Sequence, residues 1–117
     1  QATVTGAFGG LIFGFDATGL NGWWANIEWN TGRIYIQQVT GGVITTRAQI
    51  NMSIQMSLNR DYPLVVTVNG TLITVYVNGV SQGTYTMAGA LTNGYAGLLG
   101  STPNGVTVNV SNFFCHA

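Results

Sequence analysis

The stretch VVTVNGTLITVYVNGVSQGTY, residues 65–85, sets two Asn-Gly pairs, Asn69-Gly70 and Asn78-Gly79, between runs of β-branched and aromatic residues. Asn-Gly reaches the positive φ angles of a tight hairpin turn at little steric cost, so the stretch reads as antiparallel strands joined by short turns. Its flanks keep the two-residue period of a strand. Val66, Val68, Ile73, Val75 and Val77 fall to one side, and Thr67, Thr74, Tyr76 and Asn78 to the other. With Asn69-Gly70 as a two-residue loop, Val68 is expected opposite Thr71, Val66 opposite Ile73 and Leu64 opposite Val75.

Outward from this meander the same pattern repeats. Gln1 to Phe8 alternates as a strand already under way at Gln1, and Gly9-Gly10 reads as a turn into a strand whose Leu11, Phe13 and Phe15 share one face. Trp23 to Trp29 places Trp23, Ala25, Ile27 and Trp29 on one face and Trp24, Asn26 and Glu28 on the other. Its partner is Arg33 to Val39, with Ile34 and Ile36 inward and Arg33, Tyr35 and Gln37 outward. A two-residue Thr31-Gly32 loop pairs Trp29 with Ile34 and Ile27 with Ile36, which sets Glu28 beside Tyr35, Asn26 beside Gln37, and Arg33 diagonal to Glu28.

Gly41-Gly42 turns the chain into Val43 to Arg47, after which Ile50, Met52, Ile54, Met56 and Leu58 alternate strictly with polar residues. Further strands are expected at Tyr62 to Val68, Gln82 to Met87, Tyr95 to Gly100 and Val106 to Phe114. No window carries a helical period. Roughly ten or eleven short strands with a turn every 8 to 12 residues or so is the pattern of an antiparallel sandwich.

At 117 residues, 46% of them hydrophobic, the chain has the length for one domain, 1–117, around a single core. Its charge is unusually sparse: three arginines, no lysine, three acids and a net charge of zero. Arg33, Arg47 and Arg60 are too few and too scattered for a phosphate-binding footprint, so nucleic acid is excluded as a partner. No apolar run is long enough to span a bilayer as a helix, and membrane insertion is not expected. A surface of Thr, Ser, Asn, Gln and Gly suits neutral hydrogen-bonding partners such as sugars, and near-zero charge also suits packing into assemblies. Cys115 has no partner within the chain and is expected either buried or paired between chains. Sequons at Asn51, Asn69 and Asn109 would favour secretion if used.

The segments GLIFGFD (10–16), WWANIEWNTGRIYIQQV (23–39), YPLVVTVNGTLITVYVNGVSQGTYT (62–86), YAGLL (95–99) and VNVSNFF (108–114) follow one another as in laminin-G-like domains. The chain resembles that group of the concanavalin A-like lectin/glucanase superfamily, closest to its levan-binding and keto-disaccharide-hydrolase-like members. The resemblance spans nearly the whole chain and implies an all-β, antiparallel jelly-roll sandwich. It also implies that the first strands of the fold precede Gln1 or come from another chain.

Catalysis finds little support in the residues. Glycoside hydrolysis needs two carboxylates about 5 to 9.5 Å apart, and Asp16, Glu28 and Asp61 are the only acids, none close to another in sequence. His116 stands alone beside the C-terminus, too little for a triad or a zinc site. No enzyme activity, cofactor or metal is expected. Asp16 reads more readily as a turn-forming side chain than as a calcium ligand, although some members of the superfamily hold calcium.

The stronger grouping is Trp24, Asn26, Glu28, Arg33, Tyr35 and Gln37 on one face of one hairpin. An aromatic plate for the C–H face of a sugar, with carboxylate, guanidinium and amide groups for its hydroxyls, is what carbohydrate recognition requires. The resemblance adds that related fructan-binding modules use an acid and an arginine, which Glu28 and Arg33 could supply. The other reading is a cross-strand pair on an exposed face, worth about 0–1 kcal/mol. Two functions follow: an extracellular lectin-like module binding glycan, or a structural subunit of a filament, sheath or virion surface assembling with its neighbours by strand complementation.

Overall fold

The structure is a computed structural model that describes residues 8–28, 31–53, 62–92 and 94–101. Eight strands occupy the described residues: β1 Phe8–Phe15, β2 Gly22–Glu28, β3 Arg33–Thr40, β4 Val43–Asn51, β5 Leu64–Asn69, β6 Leu72–Val77, β7 Val80–Thr86 and β8 Tyr95–Ser101. They form a five-stranded sheet in the order β4-β3-β2-β1-β8 and a three-stranded sheet in the order β5-β6-β7. Every described pairing is antiparallel, and the protein is a β-sandwich.

Period-two alternation builds the core. Ala25, Ile34, Ile36, Ile73, Val75 and Val77 are completely buried, joined by Phe13, Trp23, Ile27 and Met87. Val66, Val68, Ile50 and Met52 pack against this cluster from half-buried positions. Each fully buried isoleucine or valine side chain contributes about 1.5–3 kcal/mol by leaving water. The faces expected for β2, β3, β5 and β6 are those observed.

Register differs from expectation in both hairpins by one residue pair. Val68 lies opposite Ile73, Val66 opposite Val75 and Leu64 opposite Val77, so Asn69 closes the ladder with Leu72 and the loop is Gly70-Thr71. This arrangement meets three apolar residues with three apolar partners, whereas the expected register would have placed Val68 against Thr71. The second turn is the anticipated one. Asn78 (φ 52°) and Gly79 (φ 77°) both take the left-handed conformation, and Val77 pairs with Val80.

Between β2 and β3 the connection is four residues, not two: Ile27 faces Ile34 and Glu28 faces Arg33. The turn closes when the Gly32 amide, at a φ of 68°, donates to the Glu28 carbonyl at 3.1 Å. The inward and outward sets survive the change, because a shift of two residues preserves parity.

Gly9 and Gly10 do not turn the chain. They lie inside β1, paired with Ile27 and Asn26 on one side and with Gly100 and Leu99 on the other. Phe15 also departs from the face it was expected to share with Phe13. A register shift between Ile12 and Phe15, with Gly14 at a φ of 64°, moves Phe15 out of the core cluster and onto Gly22. β4 is one strand with an irregularity, since pairing jumps from Ile36–Ala48 to Gln37–Thr46 and leaves Arg47 as the extra residue. Residues 1–7 of the expected strand Gln1 to Phe8, the expected strand Val106 to Phe114, the positions Ile54, Met56 and Leu58, and Asp61, Cys115 and His116 lie outside the described residues, as does Trp29.

Candidate functional site

β2 and β3 present their outward alternates on one face of the larger sheet. Trp24 lies opposite Gln37, Asn26 opposite Tyr35 and Glu28 opposite Arg33, so all six expected residues meet on one hairpin. Trp24 and Glu28 stand about 13 Å apart along the strand. Arg33 is exposed, while Trp24, Glu28, Tyr35 and Gln37 are half-buried.

Asn26 is nearly closed off, at 3% exposure. Its Nδ2 donates to Gln37 Oε1 at 2.8 Å, and Gln37 Nε2 donates onward to Thr46 Oγ1 at 3.1 Å. This relay sets the orientation of the Gln37 amide. Among the described residues Asn26 Oδ1 has no hydrogen-bond partner, and it lies over Gly10. Asn26 therefore acts beneath the surface, holding Gln37 in place.

Glu28 Oε1 accepts a 2.7 Å hydrogen bond from the Thr31 hydroxyl and a long 3.5 Å one from Tyr35. Among the described residues its Oε2 has no hydrogen-bond partner, and neither has the guanidinium of Arg33, the residue opposite Glu28 in the ladder. The two charges do not pair with each other. Thr31 and Thr46 were not legible as members of this face. Thr31 sits in the β2–β3 connection, which is longer than its sequence suggests, and Thr46 becomes outward only once β4 is aligned with β3 through the irregularity at Arg47.

Asp16 belongs to a separate structural loop. Its Oδ2 accepts from Asn21 Nδ2 and its Oδ1 from the Thr18 hydroxyl, both at 2.8 Å, while Asn21 Oδ1 accepts from the Gly41 amide. These donors, Asn21 first and Thr18 next, hold the Asp16 carboxyl at about 2, below its ordinary 3.8. Among the described residues no three potential metal-ligating side chains come together. The depressed value fixes the sign of a pH effect. The loop gains stability from ionised Asp16 above about pH 4 and loses it as pH falls towards about 2. In a pH series of NMR spectra, the Asn21 and Gly41 amide signals are expected to shift together through that window in the wild type. In Asp16→Asn they are expected to stay flat, and an unchanged titration in the variant would refute the assignment.

Neither a family model nor a curated protein sequence matches the chain. Among solved structures it is similar to the carbohydrate binding module CBM66 from Bacillus subtilis, with a TM-score of 0.64 at 17% sequence identity. The likeness covers 86% of this chain and 58% of the module, so the chain spans little more than half the module's length. At that identity the likeness is one of fold, and it agrees with the β-sandwich expected from the sequence.

Proposed function

We propose that this protein is a non-enzymatic carbohydrate-binding module that takes sugar on the outer face of β2 and β3. The observation that carries the reading is Glu28 opposite Arg33 in the ladder, with Glu28 Oε2 and the Arg33 guanidinium unpartnered among the described residues and Trp24 and Tyr35 on the same face. A carboxylate oxygen and a guanidinium at a surface offer charge-assisted hydrogen bonds to vicinal hydroxyls, and an indole further along the same face offers its plane to ring C–H groups. Gln37, fixed by Asn26 and Thr46, adds an oriented amide. The laminin-G-like resemblance, the fold shared with a carbohydrate-binding module and the neutral surface support the same reading. An extracellular location belongs to this proposal.

The test is binding to a glycan array followed by calorimetry with the best ligand. Trp24→Ala and Glu28→Ala are each expected to weaken binding by about 1–3 kcal/mol, through a lost aromatic contact and lost charge-assisted hydrogen bonds respectively. Unchanged affinity in both variants would remove this face from consideration. A second reading, a self-assembling structural subunit, is favoured by the exposed apolar side chains of Leu20, Val43 and Ile44 around the Gly41-Gly42 turn. Large assemblies in sedimentation runs without sugar, together with no glycan bound, would select it.

A further inference from the structure

A second polar concavity opens at one end of the sandwich, away from the face just described. It encloses about 460 Å³, within the roughly 300–1,000 Å³ of small-ligand sites. Trp23 and Tyr85 contribute its aromatic side, one from each sheet, with ring centroids 5.9 Å apart and planes inclined at 45°. The opposite wall is made of Ala88, Gly89 and Ala90, whose small side chains leave the backbone amides and carbonyls accessible.

Arg47 supplies the charge. As the extra residue in β4 it escapes the alternation of its neighbours, and its Nε donates to Gln38 Oε1 at 3.1 Å. Gln38 lies opposite Trp23 and so stands in the inward-facing row of β3, at the mouth of the core. Among the described residues the terminal nitrogens of Arg47 have no hydrogen-bond partner, and no described acid lines the concavity. A guanidinium fork held at one nitrogen, with two that no described residue engages and no described acid beside it, shares this concavity with two aromatic rings and suits a carboxylate on a ring-sized hydroxylated molecule. We infer that this concavity is a second binding site, independent of the β2–β3 face, for a sugar acid of one or two rings.

The probes are glucuronate and its neutral counterpart glucose, titrated into the intact protein and followed by NMR. Glucuronate is expected to shift the Trp23 indole N–H and the Tyr85 ring signals while the Trp24 indole stays in place, and to bind roughly tenfold or more tighter than glucose. Added salt should weaken the glucuronate effect and leave glucose unchanged. Arg47→Gln should bring glucuronate down to the level of glucose, whereas Trp24→Ala combined with Glu28→Ala should leave it untouched. Equal response to the two sugars in the wild type, movement of the Trp24 signal in place of Trp23, or no shift at tens of millimolar glucuronate would each overturn the inference. These three overturning outcomes are read on the wild-type protein and do not depend on the folding of the Arg47 variant.

Discussion

Gly10→Ala is expected to destabilise the protein by about 3 kcal/mol, a large effect for one methyl group. Gly10 lies between β2 and β8, and a Cβ there would overlap the Ala25 carbonyl oxygen and come within 2.9 Å of both Asn26 Cα and Asn26 Oδ1. Two of those atoms are backbone and cannot swing aside, so relief requires β1 and β2 to separate. Movement there would also displace Asn26, which orients Gln37 on the candidate sugar face. Gly89→Ala is the control, since a Cβ at Gly89 meets nothing within 4 Å, and its effect should stay within about 0.5 kcal/mol. Urea midpoints for the two variants decide the matter. Equal stabilities would mean that β1 and β2 do not approach as closely as the structure has them.

The same glycine shows where sequence reading stops. Gly9-Gly10 reads as a turn because glycine is a poor strand residue and a common punctuator. The need for glycine here comes from a neighbouring strand that carries a buried asparagine, and that neighbour cannot be identified before the strands are paired. Local alternation was more reliable. It placed Trp23, Ala25 and Ile27 inward and Trp24, Asn26 and Glu28 outward, and the six candidate site residues were found together for that reason.

Pairing is a finer matter than facing. A shift of two residues leaves every side chain on its expected face, so hydrophobic pattern alone could not distinguish Glu28 opposite Arg33 from Glu28 opposite Tyr35. Turn chemistry would have been the only local guide. At Asn78-Gly79 it served, because both residues take positive φ. At Asn69-Gly70 only Gly70 does so, and Asn69 stays in its strand. The shift of Phe15, still buried, away from the main core cluster and the release of Arg47 from the alternation both depend on strand irregularities, which arise from how two strands fit and leave little trace in either one.

Ile36→Ala is expected to be the most damaging of the simple core truncations, at about 4 kcal/mol, with Ile34→Ala nearer about 3 kcal/mol. Both side chains are completely buried, so the loss of transfer free energy is the same. Their neighbours across the sheet differ. Ile36 stands between Ala25 on β2 and Ala48 on β4, whose single methyl groups are too short to lean into a void. Ile34 stands between Ile27 and Ile50, whose longer side chains can relax towards the space left behind. Cavity cost grows with the volume that remains unfilled, so the position flanked by alanines should suffer more. Against a total stability of about 5–15 kcal/mol, either change should be plain in denaturant melts. Val43→Ala, at a side chain 66% exposed, should barely register. Ile34→Ala proving the costlier of the two isoleucine variants would show that relaxation comes from the facing sheet and not from the flanking strands.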